Sequence, residues 1–300
     1  MRLKVIACEV LRRELYHVAA RATAVADVVL LPQGLHENSD TCRSRLQAEV
    51  DATPPDRYDA VLLGYGLCSN ALVGVRAPRV PLVVPRAHDC ITLLLGSKER
   101  YRRLFEERPG TYWFSSGWLE CREKEGEPIA PPPASGLGPG GRWLGLGPDG
   151  RLDLQELAER YGEDNARYLA EVLGGWERAY TRGALIRFPF DRHLGLEEKV
   201  RRICREKGWT YAEVDGNLGL LEAALNPPEA GWDPARFLTV APGGAVRASF
   251  DDRILSAEPA AAIGCAACQD AGPAATTKDG PCPAPGGGPS TSKSDTETSP

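Results

Sequence analysis

Three cysteines and one histidine follow strand-like segments in the first third of the chain. Cys8 ends the apolar run LKVIAC, Cys68 follows YDAVLLGYG, and His88 and Cys90 follow VPLVVPRA. Because the carboxyl ends of neighbouring parallel strands meet at one edge of a sheet, where ligands commonly bind, we expect these four side chains to converge. Thiolates and imidazole suit zinc, or iron in an iron–sulfur cluster. The sequence therefore predicts a metal site built from Cys8, Cys68, His88 and Cys90.

Two other interpretations of these residues stay open. Cys68 or Cys90 could be the nucleophile of a metal-free enzyme or the contact residue of a small-ligand-binding protein, with His88 lowering the thiol pKa or acting as base. The protein could also be a non-catalytic accessory that delivers or matures a cofactor. Taken singly, Cys8 has a simpler explanation, because a cysteine in a strand is often a small buried hydrophobe.

Polar side chains near the same strand ends complete the predicted site. Glu9 follows Cys8 and is a candidate general base or proton carrier. Arg86 and Ser97 are candidates for orienting a small-molecule substrate, since an arginine can hold a carboxylate or phosphate. The aromatic residues of TYWFSSGWLE are expected to be core or pocket wall.

A glycine-rich turn, GYGLCSNALVG, separates a predicted strand from a predicted helix start. Backbone N–H groups around Gly64 and Gly66, with Ser69 and Asn70 capping the helix, could bind an anionic cofactor group. The turn is neither a dinucleotide fingerprint nor a Walker loop. The GxSxG pattern of a hydrolase nucleophile elbow is absent as well.

The chain has nine cysteines, and the other six are predicted to have different roles. Cys42 and Cys204 lie in amphipathic helices and are expected to be packing residues. Cys121 would be a further ligand if TYWFSSGWLE were a strand ending at the same edge. The CxxC pair Cys265 and Cys268, with Cys282 beyond it, is expected to be a weak thiol or adventitious metal site.

Strand and helix signals alternate along the chain, which predicts an α/β fold with a parallel sheet and helices on both faces. Predicted strands cover residues 3–10, 26–36, 58–66, 80–89, 184–190, 209–216 and 234–244, and predicted helices cover 11–22, 39–51, 69–75, 91–110, 153–180, 194–208 and 218–226. Residues 111–120 are a strand or a loop. Ser39 or Asp40 is the expected N-cap of the helix over 39–51.

Four regions follow from composition. Residues 1–126 form an α/β half that carries the site, 127–150 a loop rich in Pro and Gly, 151–256 a second α/β half packed on the first, and 257–300 a disordered low-complexity tail. The second half could extend the first sheet or form a second lobe.

Composition excludes several classes of protein. The 300 residues are 42% hydrophobic and carry a net charge of −5, which is ordinary for a globular protein and argues against binding of nucleic acid. The sequence has no apolar run of about 18 residues for a membrane span, and its N-terminus does not resemble a signal peptide. A cytoplasmic location follows as an expectation, with cysteines that are thiols, metal ligands or catalytic groups.

Five segments together resemble the domain-of-unknown-function family numbered 1638: VIACEVLRREL, LPQGLH, YDAVLLGYGLCSNALVG, PRAHDCITLLLGSKERY and PGTYWFSSGWLE. The resemblance runs from about Lys4 to Gly243. Members of that family are often encoded beside corrinoid proteins and their methyltransferases in anaerobic archaea and bacteria. The resemblance implies a role near one-carbon metabolism, with a corrinoid protein or a methyltransferase as partner.

Overall fold

The computed structural model describes residues 1–68, 70–124 and 180–260. These residues belong to one compact unit, Met1–Ala261. The predicted loop at 127–150 and the predicted helical segment through 179 lie outside the described residues, as does the tail from 261. Of the described helices, none is both long enough and apolar enough to cross a membrane.

Strands and helices alternate through most of the described chain. The strands are β1 (Arg2–Cys8), β2 (Val25–Leu31), β3 (Ala60–Gly64), β4 (Leu82–Pro85), β5 (Thr111–Phe114), β6 (Arg182–Arg187), β7 (Thr210–Asp215), β8 (Phe237–Val240), β9 (Ala245–Ala248) and β10 (Leu255–Glu258). The helices are α1 (Arg12–Ala19), α2 (Ser39–Asp51), α3 (Cys90–Leu95), α4 (Lys98–Glu107), α5 (Ser116–Lys124), α6 (Leu196–Lys207) and α7 (Gly219–Leu225). Short 3₁₀ segments lie at Glu9–Leu11, Gln33–Glu37 and Pro189–Leu194.

The main sheet has five strands in the order β2-β1-β3-β4-β8. Its first four strands are parallel, and β8 is antiparallel to β4. All five residues of β3 are buried, as expected for a central strand covered on both faces. The predicted α/β fold with a mostly parallel sheet is therefore confirmed.

A second, smaller sheet is formed by β5, β6 and β7, all parallel. Its strand β5 comes from the first half of the chain, whereas β8 from the second half joins the main sheet. Neither predicted half is thus a separate sheet.

Helices cover both faces of the main sheet. One face packs on α2 through residues such as Leu46, and the opposite face packs on α1, α3 and α7 through residues such as Leu15 and Leu93. Successive residues of β1 alternate between the two faces, with Ile6 and Cys8 on the α2 side. Because of this alternation, Cys8 at the end of β1 packs in the core on the α2 side of the sheet.

The structure corrects three predicted helix details. Residues 70–74 form turns rather than a helix start. The helix predicted over 91–110 is two helices, because Gly96 has φ +84 and Ser97 then caps α4 by accepting a hydrogen bond from the Arg100 N–H at 3.1 Å. Asn38 rather than Ser39 or Asp40 caps α2, and its side chain accepts from the Thr41 N–H at 2.9 Å.

The segment after β8 is more ordered than the sequence predicts. Strands β9 and β10 pair antiparallel, with Leu255 opposite Ala248. Because β10 ends at Glu258, the first two residues assigned to the predicted tail, Ala257 and Glu258, lie in a strand.

Candidate functional site

A cavity of about 500 Å³ lies at the carboxyl ends of β1, β3 and β4. Its lining includes Cys8, Cys68, His88 and Cys90. Cys8 is buried, Cys68 and Cys90 are half-buried, and His88 is exposed. Residues up to 82 positions apart in the sequence therefore border one space, which we call the thiol cavity.

Two backbone hydrogen bonds hold the loops of Cys68 and His88 together. The Leu67 N–H donates to the Ala87 carbonyl at 2.8 Å, and the Cys68 N–H donates to the His88 carbonyl at 2.9 Å. Gly66 permits this close approach, because a Cβ at that position would lie 2.5 Å from the Asp89 nitrogen. The loop after β3 is thus fixed against the loop after β4.

Cys90 begins α3, directly after the N-cap residue Asp89. The Asp89 carboxylate accepts hydrogen bonds from the Thr92 N–H at 3.1 Å and from the Thr92 hydroxyl at 3.3 Å. The Tyr101 hydroxyl also hydrogen-bonds to this carboxylate. A helix cap and a tyrosine from α4 therefore orient Asp89 in the cavity lining.

The cavity keeps its thiols protonated. Burial raises the pKa of Cys8 to about 12, and it raises the pKa of Cys68 and Cys90 too, with the Asp89 charge adding to both. The described lining residues include no lysine or arginine whose positive charge could stabilise a thiolate. A nucleophilic cysteine normally needs the opposite shift of its pKa.

Aromatic side chains form much of the remaining cavity wall: Tyr101, Phe105, Tyr112, Trp113, Phe114, Trp118 and Tyr180. The aromatic residues of TYWFSSGWLE thus form a pocket wall, as the sequence predicts. Trp118 reaches the cavity because α5 packs tightly on the turn Glu9–Leu11, where a Cβ on Gly117 would lie 1.8 Å from the Val10 carbonyl oxygen. Only glycine fits at this contact.

The three proposed catalytic residues lie outside the cavity lining. Glu9 is buried beside Cys8, where its carboxylate accepts from the Gln33 N–H at 3.0 Å and pairs with Arg12 at 3.2 Å. Arg86 donates to backbone carbonyls of the C-terminal segment, including that of Pro234 at 2.7 Å. Ser97 caps α4. Arg86 and Ser97 therefore have structural contacts elsewhere and are not part of the described cavity lining.

The glycine-rich turn proposed to bind an anionic cofactor group contacts other parts of the protein instead. Gly64 allows β3 to approach β1, since a Cβ there would lie 2.5 Å from the Ala7 Cβ. The N–H groups of Leu67 and Cys68 already donate to carbonyls of the next loop. Asn70 is exposed in the turn with φ +67, and Ser69 lies outside the described residues.

The remaining cysteines of the described chain are buried in the apolar cores. Cys42 and Cys204 lie on α2 and α6 at 0% and 1% exposure, which agrees with a packing role. Cys121 lies on α5, so the strand on which its metal role depended does not reach it. The CxxC at Cys265 and Cys268, and Cys282, are outside the described residues.

Within the described part of the chain, no three His, Cys, Asp or Glu side chains are grouped so that they could hold a metal ion as they stand. The three thiols and His88 border one cavity without forming a closed ligand set. Any metal bound there requires the loops after β3 and β4 to bring their side chains closer.

Sequence reasoning missed Tyr65 and Tyr101 as cavity residues. Tyr65 is 2% exposed and lines the cavity, and its hydroxyl has no hydrogen-bond partner among the described residues. A tyrosine between two glycines, directly after a strand, was a readable signal. Tyr101 gave no such signal, because it looks like an ordinary residue of an amphipathic helix.

The fold and cavity define the class: an α/β protein with a ligand-sized cavity at the carboxyl edge of a parallel sheet. The family model described as "Protein of unknown function (DUF1638)" matches residues 30–225, and the chain belongs to this family. The match includes Cys68, His88 and Cys90 and begins after Cys8. No curated protein and no solved structure matches the chain.

Proposed function

We propose that the protein binds a soft metal, zinc or the iron of an iron–sulfur cluster, through Cys8, Cys68, His88 and Cys90. The metal site would lie beside a space for a small-molecule ligand. The observation that carries this proposal is that all four donors line one cavity although they come from three separate strand ends. Three thiols sharing one space form a donor set typical of zinc and iron–sulfur sites.

Charge and burial support a cationic occupant. Three neutral thiols in an apolar cavity interact only weakly with one another. A divalent metal, in contrast, displaces their protons and stabilises the thiolates. The pKa of each thiol is raised mainly by burial, a penalty that a bound cation would offset. When bound, zinc with an open position would supply Lewis acidity toward a substrate thiol or water.

Loading requires a local closure of the site. Cys68 lies in a turn with φ +42, and Cys90 lies at the first residue of a helix of only six residues. In the proposed closure, the loops that carry Cys68 and Cys90 bring their sulfur atoms toward Cys8, which is the last residue of a central strand.

The aromatic side of the cavity is the proposed place for substrate. The family association suggests corrinoid-linked methyl transfer, and a corrinoid protein or a methyltransferase is accordingly the proposed partner. A metal-free thiol enzyme is less well supported, because burial shifts the pKa of Cys68 and Cys90 away from thiolate. An accessory protein that holds metal without turnover would use the same ligands.

Metal analysis with an ultraviolet–visible spectrum tests the proposal. Protein purified without oxygen should contain about one zinc, or one cluster with thiolate-to-iron absorption, per chain. The double substitution Cys68→Ala/Cys90→Ala should remove most of the metal. The matched control is Cys121→Ala/Cys204→Ala, which also removes two thiols but from the cores, and it should keep the metal.

Metal content that is the same in both double variants would rule out the proposed ligands. Absence of metal from the unaltered protein, even after incubation with zinc or ferrous iron and sulfide, would rule out the metal-binding function. Pull-down with neighbouring gene products then separates an accessory protein from an enzyme.

A further inference from the structure

We infer that the small-molecule site of the thiol cavity takes a compact organic cation, of the quaternary ammonium or sulfonium class. This inference rests on the proposed function in treating the cavity as the ligand site. It does not depend on the presence of a metal.

The shape of the aromatic wall carries the inference. The Tyr101 ring meets the Trp113 ring at 81° with centroids 6.1 Å apart, and it meets the Phe105 ring at 75° and 6.5 Å. Rings at right angles form adjoining walls of a box, whereas a flat ligand needs a slot between parallel rings. Among the ring pairs between described lining residues, none is stacked.

A box of aromatic faces recognises a rounded cation. The negative face of each ring attracts an onium group, with Trp and Tyr more effective than Phe. Trp118 is not counted among the walls open to a ligand, because the Arg122 guanidinium carbon already lies 5.1 Å from its ring centroid. Trp113, Tyr101 and Phe105 are the rings with which an added cation would interact.

The charges of the lining have the complementary sign. Asp89 is the one acidic residue among the described lining residues, and they include no lysine or arginine. Asp89 is hydrogen-bonded to Tyr101, which is itself part of the box. An anionic ligand would find no lysine or arginine in the described lining, whereas an onium cation would have both a carboxylate and the ring faces.

The size of the cavity fits a small ligand. About 500 Å³ lies within the range of pockets that enclose small molecules. The buried Tyr65 hydroxyl, which no described residue partners, marks a polar point at which a substituent of the ligand could form a hydrogen bond. The ligand class is therefore an onium centre with a short polar arm.

A pair of isosteres tests the inference on the unaltered full chain. Choline and 3,3-dimethylbutan-1-ol have the same shape and differ in the charge of the central atom. Isothermal titration should give choline about tenfold tighter binding than the alcohol, given cation–π attraction to two or three rings. Equal affinity for the two, or no binding of either, would overturn the inference.

Substitutions identify the residues responsible for the preference for choline over the alcohol. Trp113→Leu and Asp89→Asn should each reduce the choline preference several-fold. The control Trp232→Leu alters a half-buried tryptophan outside the cavity and should leave the preference intact. A preference that survives Trp113→Leu, in protein that retains its circular dichroism spectrum and melting temperature, would also contradict the box.

Failure of this inference is distinguishable from failure of the proposed metal site. The titrations are run on chelator-treated and on metal-loaded protein. Choline selectivity without metal binding would support the onium site and refute the metal, and metal lost through Cys68→Ala/Cys90→Ala without choline selectivity would do the reverse.

Discussion

The thiol cavity and the core of the small sheet are built from the same residue types with opposite results. Beside β6, Cys204 packs in a core with buried Trp209, and a Cβ on Gly183 would lie 2.5 Å from the cysteine sulfur. At the edge of the main sheet, three cysteines and several aromatic rings surround an open space of about 500 Å³. Closely packed thiols and rings stabilise a fold, whereas the same groups around a cavity leave room for a ligand.

The largest effect on the free energy of unfolding is expected from truncating a buried leucine in the core of the small sheet. Leu185→Ala should lower the free energy of unfolding by about 3 kcal/mol, because Leu185 is 0% exposed and its loss leaves a void. Phe105→Ala at the cavity wall should cost under about 1 kcal/mol, because Phe105 is already 53% exposed. Urea denaturation measures both, and equal losses would contradict the contrast.

Two carboxylates extend the comparison. Asp89 faces the cavity, whereas Glu14 is fully enclosed between α1 and α5, with its Oε1 accepting from the Ser116 hydroxyl at 3.2 Å. Burial, with a smaller contribution from the charges of nearby Asp191 and Glu120, raises the pKa of Glu14 from 4.5 to about 7. Between pH 4.5 and 7 the folded state therefore binds more protons at Glu14 than the unfolded state does.

Stability contributed by protonated Glu14 is thus present at low pH and lost as pH rises through about 7. The difference between pH 4.5 and 8 should be on the order of 3 kcal/mol from this group. Glu14→Gln should flatten that part of the stability profile and raise stability at pH 8. Denaturation at several pH values measures it, with Glu206→Gln on the exposed side of α6 as control, and an unchanged slope in Glu14→Gln would contradict the assignment.

A glycine in the packed region offers a double-mutant test. Gly183→Ala should cost about 1–3 kcal/mol, because the new methyl group overlaps the Cys204 sulfur. Cys204→Ala should relieve part of this overlap, so the two substitutions together should cost less than the sum of their separate costs. Additive costs would show that the sulfur is not the limiting contact.

The smallest effect is a difference in labelling rate. In chelator-treated protein, iodoacetamide should modify half-buried Cys68 and Cys90 slowly at pH 7 and faster above pH 9, since burial raises the pKa of both thiols. Cys42 and Cys204 should react only after unfolding. Mass spectrometry of digested protein reads the sites, and rapid labelling of one cavity thiol at pH 7 would favour the nucleophile hypothesis instead.

Local sequence patterns predicted the elements that depend on local signals. The apolar runs of β1, β3 and β4 are visible because central parallel strands are buried on both faces. The same strand ends predicted that Cys8, Cys68, His88 and Cys90 would border one space. The break at Gly96 was also readable, as a glycine followed by the N-cap residue Ser97, yet one long helix was predicted.

Contacts between distant segments could not be predicted. Arg86 follows a strand end like His88, but its guanidinium binds carbonyls near residues 234 and 253, which no local pattern reveals. Strand β5, in the first half of the sequence, pairs with β6 about 70 residues later. The aromatic wall therefore depends on a sheet whose strands come from both halves of the sequence. Strands β9 and β10 have four residues each, which is too short for a long apolar run in the sequence.

X-ray absorption spectroscopy at the metal edge tests the central claim most directly. Anaerobically purified protein should give a sulfur shell of two or three atoms at about 2.3 Å around zinc, or a sulfur-dominated shell around iron. The shell should lose sulfur in Cys90→Ala and keep it in Cys204→Ala. A shell of oxygen and nitrogen alone, or one that Cys90→Ala leaves unchanged, would contradict a metal bound by the thiol cavity.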